Sequence, residues 1–218
     1  AMGATPVAYT LALIVPKGTK EQWFQDFAEQ LRQDQEKYCI RLIGGDTVAT
    51  PGPLTISITI FGEASVGAAL TRSGAQIGDS IFVTGTIGDA CLGLRGMQGE
   101  LRRHGSVDLD FFVKRFFRPE PRLALGRAVC GVSSAAVDVS DGLLADVGQV
   151  CRASNLGAVI RETAVPLSPG AEVLVQEKPS LRSELLDVGD DYELVFAISP
   201  ENREVFHGIV DRKSTRLN

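Results

Sequence analysis

This sequence holds little of what covalent, redox or zinc chemistry requires. Among its 218 residues there are four cysteines, Cys39, Cys91, Cys130 and Cys151, with no CxxC pair, and two histidines, His104 and His207. A zinc centre needs clustered sulfur and imidazole ligands, which this spacing does not provide. Neither a Ser-His-Asp nor a Cys-His arrangement suggests itself, and both histidines read as surface residues. The four thiols read as reduced cysteines of a cytoplasmic protein. No apolar run approaches the roughly 18 residues of a membrane span, and no basic-then-apolar leader opens the chain. There is no basic excess either. The net charge is −5, so nucleic acid is not an expected partner. Mild acidity suits cation binding, but many soluble proteins share it.

Apolar segments alternate between the periods of strands and helices. "YTLALIVP" reads as a buried strand. "TKEQWFQDFAEQLRQDQEKY" reads as a helix with Trp23, Phe24, Phe27 and Leu31 on its core face and Thr19 as its N-cap. Ile56, Ile58 and Ile60 alternate with Thr55, Ser57 and Thr59, giving a strand with one apolar and one polar face. "GEASVGAALTRSGAQIGD" resembles a linker, and a domain boundary is expected near residue 65. Beyond it "SIFVTG", "SAAVDVS", "GAVIRE" and "DYELVFAIS" read as strands. They are interleaved with helices at "GDACLGLRGM", "DGLLADVGQVCRAS" and "PSLRSELLDVG" and on both sides of Pro119 and Pro121. The fold class is therefore α/β or α+β.

The segment "AAVDVSDGLLADVG" is the most informative. A buried carboxylate is costly unless its charge is compensated, yet this apolar run holds Asp138, Asp141 and Asp146. Strand alternation turns Asp138 and Ser140 away from Val137 and Val139. Asp141 falls at the strand-to-helix turn beside Gly142. Three oxygen-bearing side chains at the end of a strand suit a hard cation such as Mg²⁺. The plainer reading, Asp141 as a helix cap, leaves Asp138 unexplained. Asp146 lies within the helix and reads as solvated or structural.

Three further stretches are weaker. "LIGGDT" places Gly44, Gly45, Asp46 and Thr47 at an expected strand end, where a Mg²⁺-phosphate complex or an ordinary turn would both fit. Arg72, in the Gly-rich "TRSGAQIGD", could grip a phosphate or simply lie on the surface. "VGDDYELVF" sets Asp190, Asp191 and Glu193 around Tyr192, either as a polar turn or as a site for a cationic ring. "VTGTIGDA" lacks the Gly-Lys-Ser/Thr of a P-loop.

Taken together and in order, "LIGGDT", "ALTRSGAQIGDSIFVTGTIGDA", "RPEPR", "VDVSDGLLADVG" and "GDDYELVF" resemble the thiamine-monophosphate kinases of the aminoimidazole-ribonucleotide synthase superfamily, over about residues 1–205. The resemblance implies a two-domain architecture and a homodimer. It also implies transfer of the γ-phosphoryl group of ATP to thiamine phosphate with several Mg²⁺ ions. By resemblance, Gly45, Asp46, Arg72 and Ser140 contact ATP, Asp46, Asp138 and Asp141 hold Mg²⁺, and Asp190 contacts thiamine phosphate. No general base is implied, because in-line phosphoryl transfer depends on positioning and charge neutralisation.

Residues 1–65 would then be the C-terminal part of an ATP- and metal-binding, dimerising domain, and residues 66–210 a truncated C-terminal α/β domain. Residues 211–218 read as a tail, foreign sequence being one reading of it. The family's Gly-Asp-Asp, Asp-Thr and Asn-x-Ser-Asp motifs precede the stretch matched here, so the chain is expected to be an internal fragment of weak activity. The alternatives are another ATP-using enzyme of the superfamily and a non-catalytic nucleotide- or metal-binding domain.

Overall fold

In this computed structural model residues 1–101 and 107–214 are described; His104 and residues 215–218 of the expected tail lie outside them. The chain divides into two units, one of residues 4–65 and the other of residues 1–3 with 66–218.

The smaller unit is a three-stranded sheet with one helix. Strand β1 (Thr5–Pro16) is central, β2 (Arg41–Thr50) runs parallel to it, and β3 (Thr55–Glu63) runs antiparallel. Helix α1 (Glu21–Tyr38) packs Trp23, Phe24, Phe27 and Leu31 onto Tyr9, Leu11, Leu13 and Val15, the alternate residues of β1. Thr19 does not cap this helix. Its hydroxyl donates back to Pro16 O at 2.8 Å, and Lys20 occupies the cap position. Ile56, Ile58 and Ile60 pair with Leu13, Leu11 and Tyr9, so they share the helix-facing side, but they stay 41–60% exposed.

In the larger unit β4 (Ser80–Val83), β5 (Ser133–Val139) and β6 (Glu193–Ile198) form an antiparallel sheet in the order β4-β6-β5. Strand β6 is buried along its whole length, as its unbroken run ELVFAI requires of a central strand. The segment "SIFVTG" supplies β4, which is a half-buried edge rather than a buried strand. Helix α5 (Leu143–Ser154) packs Leu143, Val147 and Val150 against Val137, Val139, Val195 and Ala197. A second core gathers α2 (Asp89–Met97), α3 (Leu109–Phe117), α6 (Pro169–Glu177) and α7 (Leu181–Asp187) around Leu92, Phe112, Leu174 and Leu185. A third packs α4 (Leu123–Ala128) and α8 (Arg203–Ser214) beside Phe196 and Phe206.

Besides the Thr19 cap, one strand expectation fails. "GAVIRE" is not a strand. Residues 157–161 pair with no strand, and Val159 is 91% exposed. A run of β-formers without a partner has no ladder to join. Within the stretch read as a tail, α8 continues through Asp211 to Ser214. No helix among the described residues is long and apolar enough to cross a membrane.

Candidate functional site

The larger unit carries the best-defined site, where β5 turns into α5. Asp138 is half-buried and Val137 and Val139 are fully buried, as strand alternation requires. The sheet is antiparallel, so the crevice rule of parallel sheets does not create this site. It is made by a crossing of two backbones. Asp190 N–H donates to Ser140 O at 3.0 Å, and Tyr192 N–H donates to Val139 O at 2.8 Å. Gly189 makes the approach possible, because a Cβ there would collide with Ser140 O. Asp190 and Tyr192 both take positive φ, 70° and 50°, a strained choice for non-glycine residues.

The crossing brings Asp138, Asp141 and Asp190 around one ring. The Tyr192 hydroxyl donates to Asp190 Oδ1 at 3.2 Å. Burial, that hydrogen bond and the negative fields of Asp190, Asp138 and Asp141 all push the Tyr192 phenol above its ordinary value. The spot is thus strongly electronegative. Among the described residues, no hydrogen bond or salt bridge engages the carboxylates of Asp138 and Asp141, leaving their oxygens available.

All the donors here are oxygens, which suits Mg²⁺. No group of three or more metal-competent side chains meets at one point among the described residues. Two carboxylates fit a Mg²⁺ site whose remaining ligands are water and phosphate oxygens, the usual arrangement for this ion.

Asp141 does not cap α5. Gly142 holds the N-cap position at φ 122°, without a side-chain cap. Asp146 is buried rather than solvated, at 2% exposure. Its Oδ2 accepts from the Ser140 and Asp141 amides, each at 2.9 Å. Arg72 lies in a segment laid along β5, where Thr71 O accepts from Ala136 N–H at 2.8 Å. Its guanidinium has no ion pair among the described residues.

The acids of "GDDYEL" divide into outward and inward sets. Asp190 and Tyr192 face the site, while Asp191 and Glu193 are buried. Asp191 accepts from the Gly88 and Ala90 amides at the start of α2, at 2.6 and 3.2 Å. Burial raises it to about 6 and Asp89 adds to the rise; the two amides and Arg115 oppose them. Glu193 accepts from Thr84, Arg122 and Arg115. Burial raises it, but these partners outweigh burial and hold it below the ordinary carboxylate value. Asp89 accepts from Thr86 and from Ser168, the latter at 2.6 Å. Sequence reasoning did not single out this inner network. Its signal was a Glu opening a wholly apolar strand, which demands a buried cationic partner.

In the smaller unit "LIGGDT" lies in the middle of β2, not at a strand end. Gly45 pairs with Leu11 at φ 148°, and a Cβ there would strike Leu11 O, so this glycine has a backbone reason to be present. Asp46 pairs with Ala12 on the sheet face away from α1 and is exposed. It accepts from the Thr47 amide at 2.8 Å.

A groove of about 950 Å³ runs between β4 and residues 155–161, lined by such side chains as Phe82, Val147, Cys151 and Ile160. None of the candidate site residues lines it.

Comparison with known proteins matches residues 1–64 to the N-terminal domain, and residues 76–215 to the C-terminal domain, of AIR synthase related proteins. A thiamine-monophosphate kinase of Escherichia coli (strain K12) is 42% identical over 203 residues, 93% of this chain and 61% of that protein. The chain therefore spans about three fifths of the length of that curated relative. The crystal structure of the thiamine-monophosphate kinase of Stenotrophomonas maltophilia K279a superposes with a TM-score of 0.88 at 37% identity, covering 98% of this chain and 68% of the other. AaThiL complexed with AMPPCP and TMP superposes at 0.84 with 26% identity, covering 94% and 66%.

Proposed function

The chain belongs to the family of AIR synthase related proteins, and from that premise we propose that it contributes to phosphorylation of thiamine phosphate by ATP, yielding thiamine diphosphate. The observation that carries this reading is the crossing of the Asp138–Asp141 turn with the Asp190–Tyr192 loop. It joins carboxylates that no hydrogen bond or salt bridge engages among the described residues to a second acid and an aromatic ring. Relatives named thiamine-monophosphate kinase, and one neighbour complexed with AMPPCP and TMP, supply the substrate class.

In this reading Asp138 and Asp141 of the larger unit would hold Mg²⁺, and Asp46 of the smaller unit is assigned separately as a Mg²⁺ ligand. Bound Mg²⁺ neutralises phosphate charge as it develops. Ser140 and Arg72 of the larger unit would contact the nucleotide, Arg72 pairing its guanidinium with phosphate oxygens, and Gly45 of the smaller unit is assigned a nucleotide contact separately. Asp190 orients the thiamine phosphate, and Tyr192 offers its ring face to the cationic thiazolium. No side chain acts as a general base, since the acceptor is already an anionic phosphate oxygen and transfer is in line.

Two tests apply. Asp138→Asn should weaken Mg²⁺-dependent ATP binding about tenfold or more while preserving the circular dichroism spectrum. Unchanged binding refutes the metal assignment. Formation of thiamine diphosphate from ATP and thiamine phosphate, measured on the chain extended to the length of its relatives, tests the substrate.

Self-association as a homodimer through the smaller unit accords with the exposed apolar row of Ile56, Ile58 and Ile60. Ile58→Lys should give a monomer in sedimentation. A cytoplasmic location accords with four free cysteines and ATP as co-substrate.

A further inference from the structure

We propose that Asp146 is the positioning residue that couples the metal-binding turn to the substrate-binding loop; this rests on the reading of Asp138 and Asp141 as Mg²⁺ ligands. A carboxylate in the first turn of a helix usually serves amides of that helix. Asp146 instead reaches backward, and one of its oxygens receives the N–H groups of both Ser140 and Asp141. Its own N–H donates to Gly142 O at 2.9 Å. The turn carrying Asp141 is thereby tied to α5 by three bonds around a glycine with positive φ. The same peptides then reach outward. Ser140 O and Val139 O receive the Asp190 and Tyr192 amides. A continuous path runs from the Asp146 carboxylate through the backbone around Ser140 to Asp190 and Tyr192.

The energetics favour an orienting role over simple filling. An apolar side chain at this buried position would avoid the cost of burying a charge. The charge is retained where two charge-assisted bonds, and the positive end of α5, compensate it. The effect is to fix the direction in which Asp141 projects, as the outer hydrogen-bonding partners of metal ligands do.

The test uses the ¹⁵N-labelled chain with Mn²⁺ as a paramagnetic probe. In the wild type Mn²⁺ should preferentially broaden amide signals of residues 138–142 and 190–192. Asp146→Ala should raise the Mn²⁺ concentration for half-broadening about tenfold or more. It should also speed hydrogen exchange at Ser140, Asp141 and Asp190 more than at β6 residues 194–198. Asp146→Asn, which keeps one acceptor oxygen, should lose only a few-fold, and it carries the comparison if the alanine variant does not fold. A Mn²⁺ response within about twofold of wild type, or exchange that accelerates equally throughout β6, overturns the coupling. If Asp138→Asn leaves the Mn²⁺ response unchanged, the metal reading fails instead. The exchange rates at Ser140 and Asp190 then still decide whether Asp146 holds the two loops together.

Discussion

Replacing Glu193 by alanine should cost the larger unit a substantial part of its stability. The Glu193 side chain is 1% exposed. It accepts from Thr84 Oγ1, from Arg122 Nε at 2.7 Å and Nη2, and from Arg115 Nη2 at 2.9 Å. Alanine would leave Arg115 with Asp89 at 3.7 Å as its remaining ion pair among the described residues, and would leave Arg122, at 29% side-chain exposure, facing a cavity. Breaking a buried pair from one side costs about 3–5 kcal/mol. A domain's whole stability is about 5–15 kcal/mol, so the loss would be about a fifth of it or more. The effect should be largest in β6, because Glu193 opens the strand that both β4 and β5 pair with. Glu193→Gln keeps the shape and some acceptor capacity, and should cost about 2 kcal/mol. Native-state hydrogen exchange at Leu194 to Ala197, followed against urea, reads both values. A loss below about 1 kcal/mol for the alanine variant, the worth of a solvated surface pair, would refute the reading of Glu193 as a buried partner of the two arginines.

Gly45→Ala should destabilise the smaller unit by about 3 kcal/mol or more, from an unfavourable φ and a clash with Leu11 O. Trp23 fluorescence in urea reports it, because Trp23 packs against β1, and an unchanged midpoint would contradict the backbone explanation. Asp191, raised from an ordinary 3.8 to about 6, binds its proton more tightly folded than unfolded. Its contribution is complete below about pH 4 and is lost as pH rises through about 6. Asp191→Asn should therefore raise stability at pH 7 relative to pH 4.5, compared with wild type; an identical pH dependence in the two proteins would refute the assignment.

The strand containing Asp138 and the helix after it were legible because their periods differ so clearly: valines two apart, then Leu143, Val147 and Val150 at helical spacing. "GAVIRE" misled because composition says what a strand prefers but not whether a neighbour exists. Asp146 was underrated because its partners, the Ser140 and Asp141 amides, are backbone groups that carry no sequence signature. "LIGGDT" was misplaced because paired glycines usually mark a turn. Here one of them serves a close approach inside a ladder. The division of "GDDYEL" into outward and inward acids follows a two-residue period. It needed the partners, Arg115, Arg122 and the start of α2, before it could be seen.

That two-residue period makes the Val188–Glu193 segment unusual among loops in what it can tolerate. Connecting segments generally accept a gained or lost residue with little penalty. Here a single-residue insertion or deletion would turn Asp190 toward the core and Asp191 toward the solvent. It would also move the glycine off its contact with Ser140. Drift in the identity of the exposed side chains would be far less damaging. The segment is held by its length more than by its chemistry, and in that respect it obeys the rules of a strand.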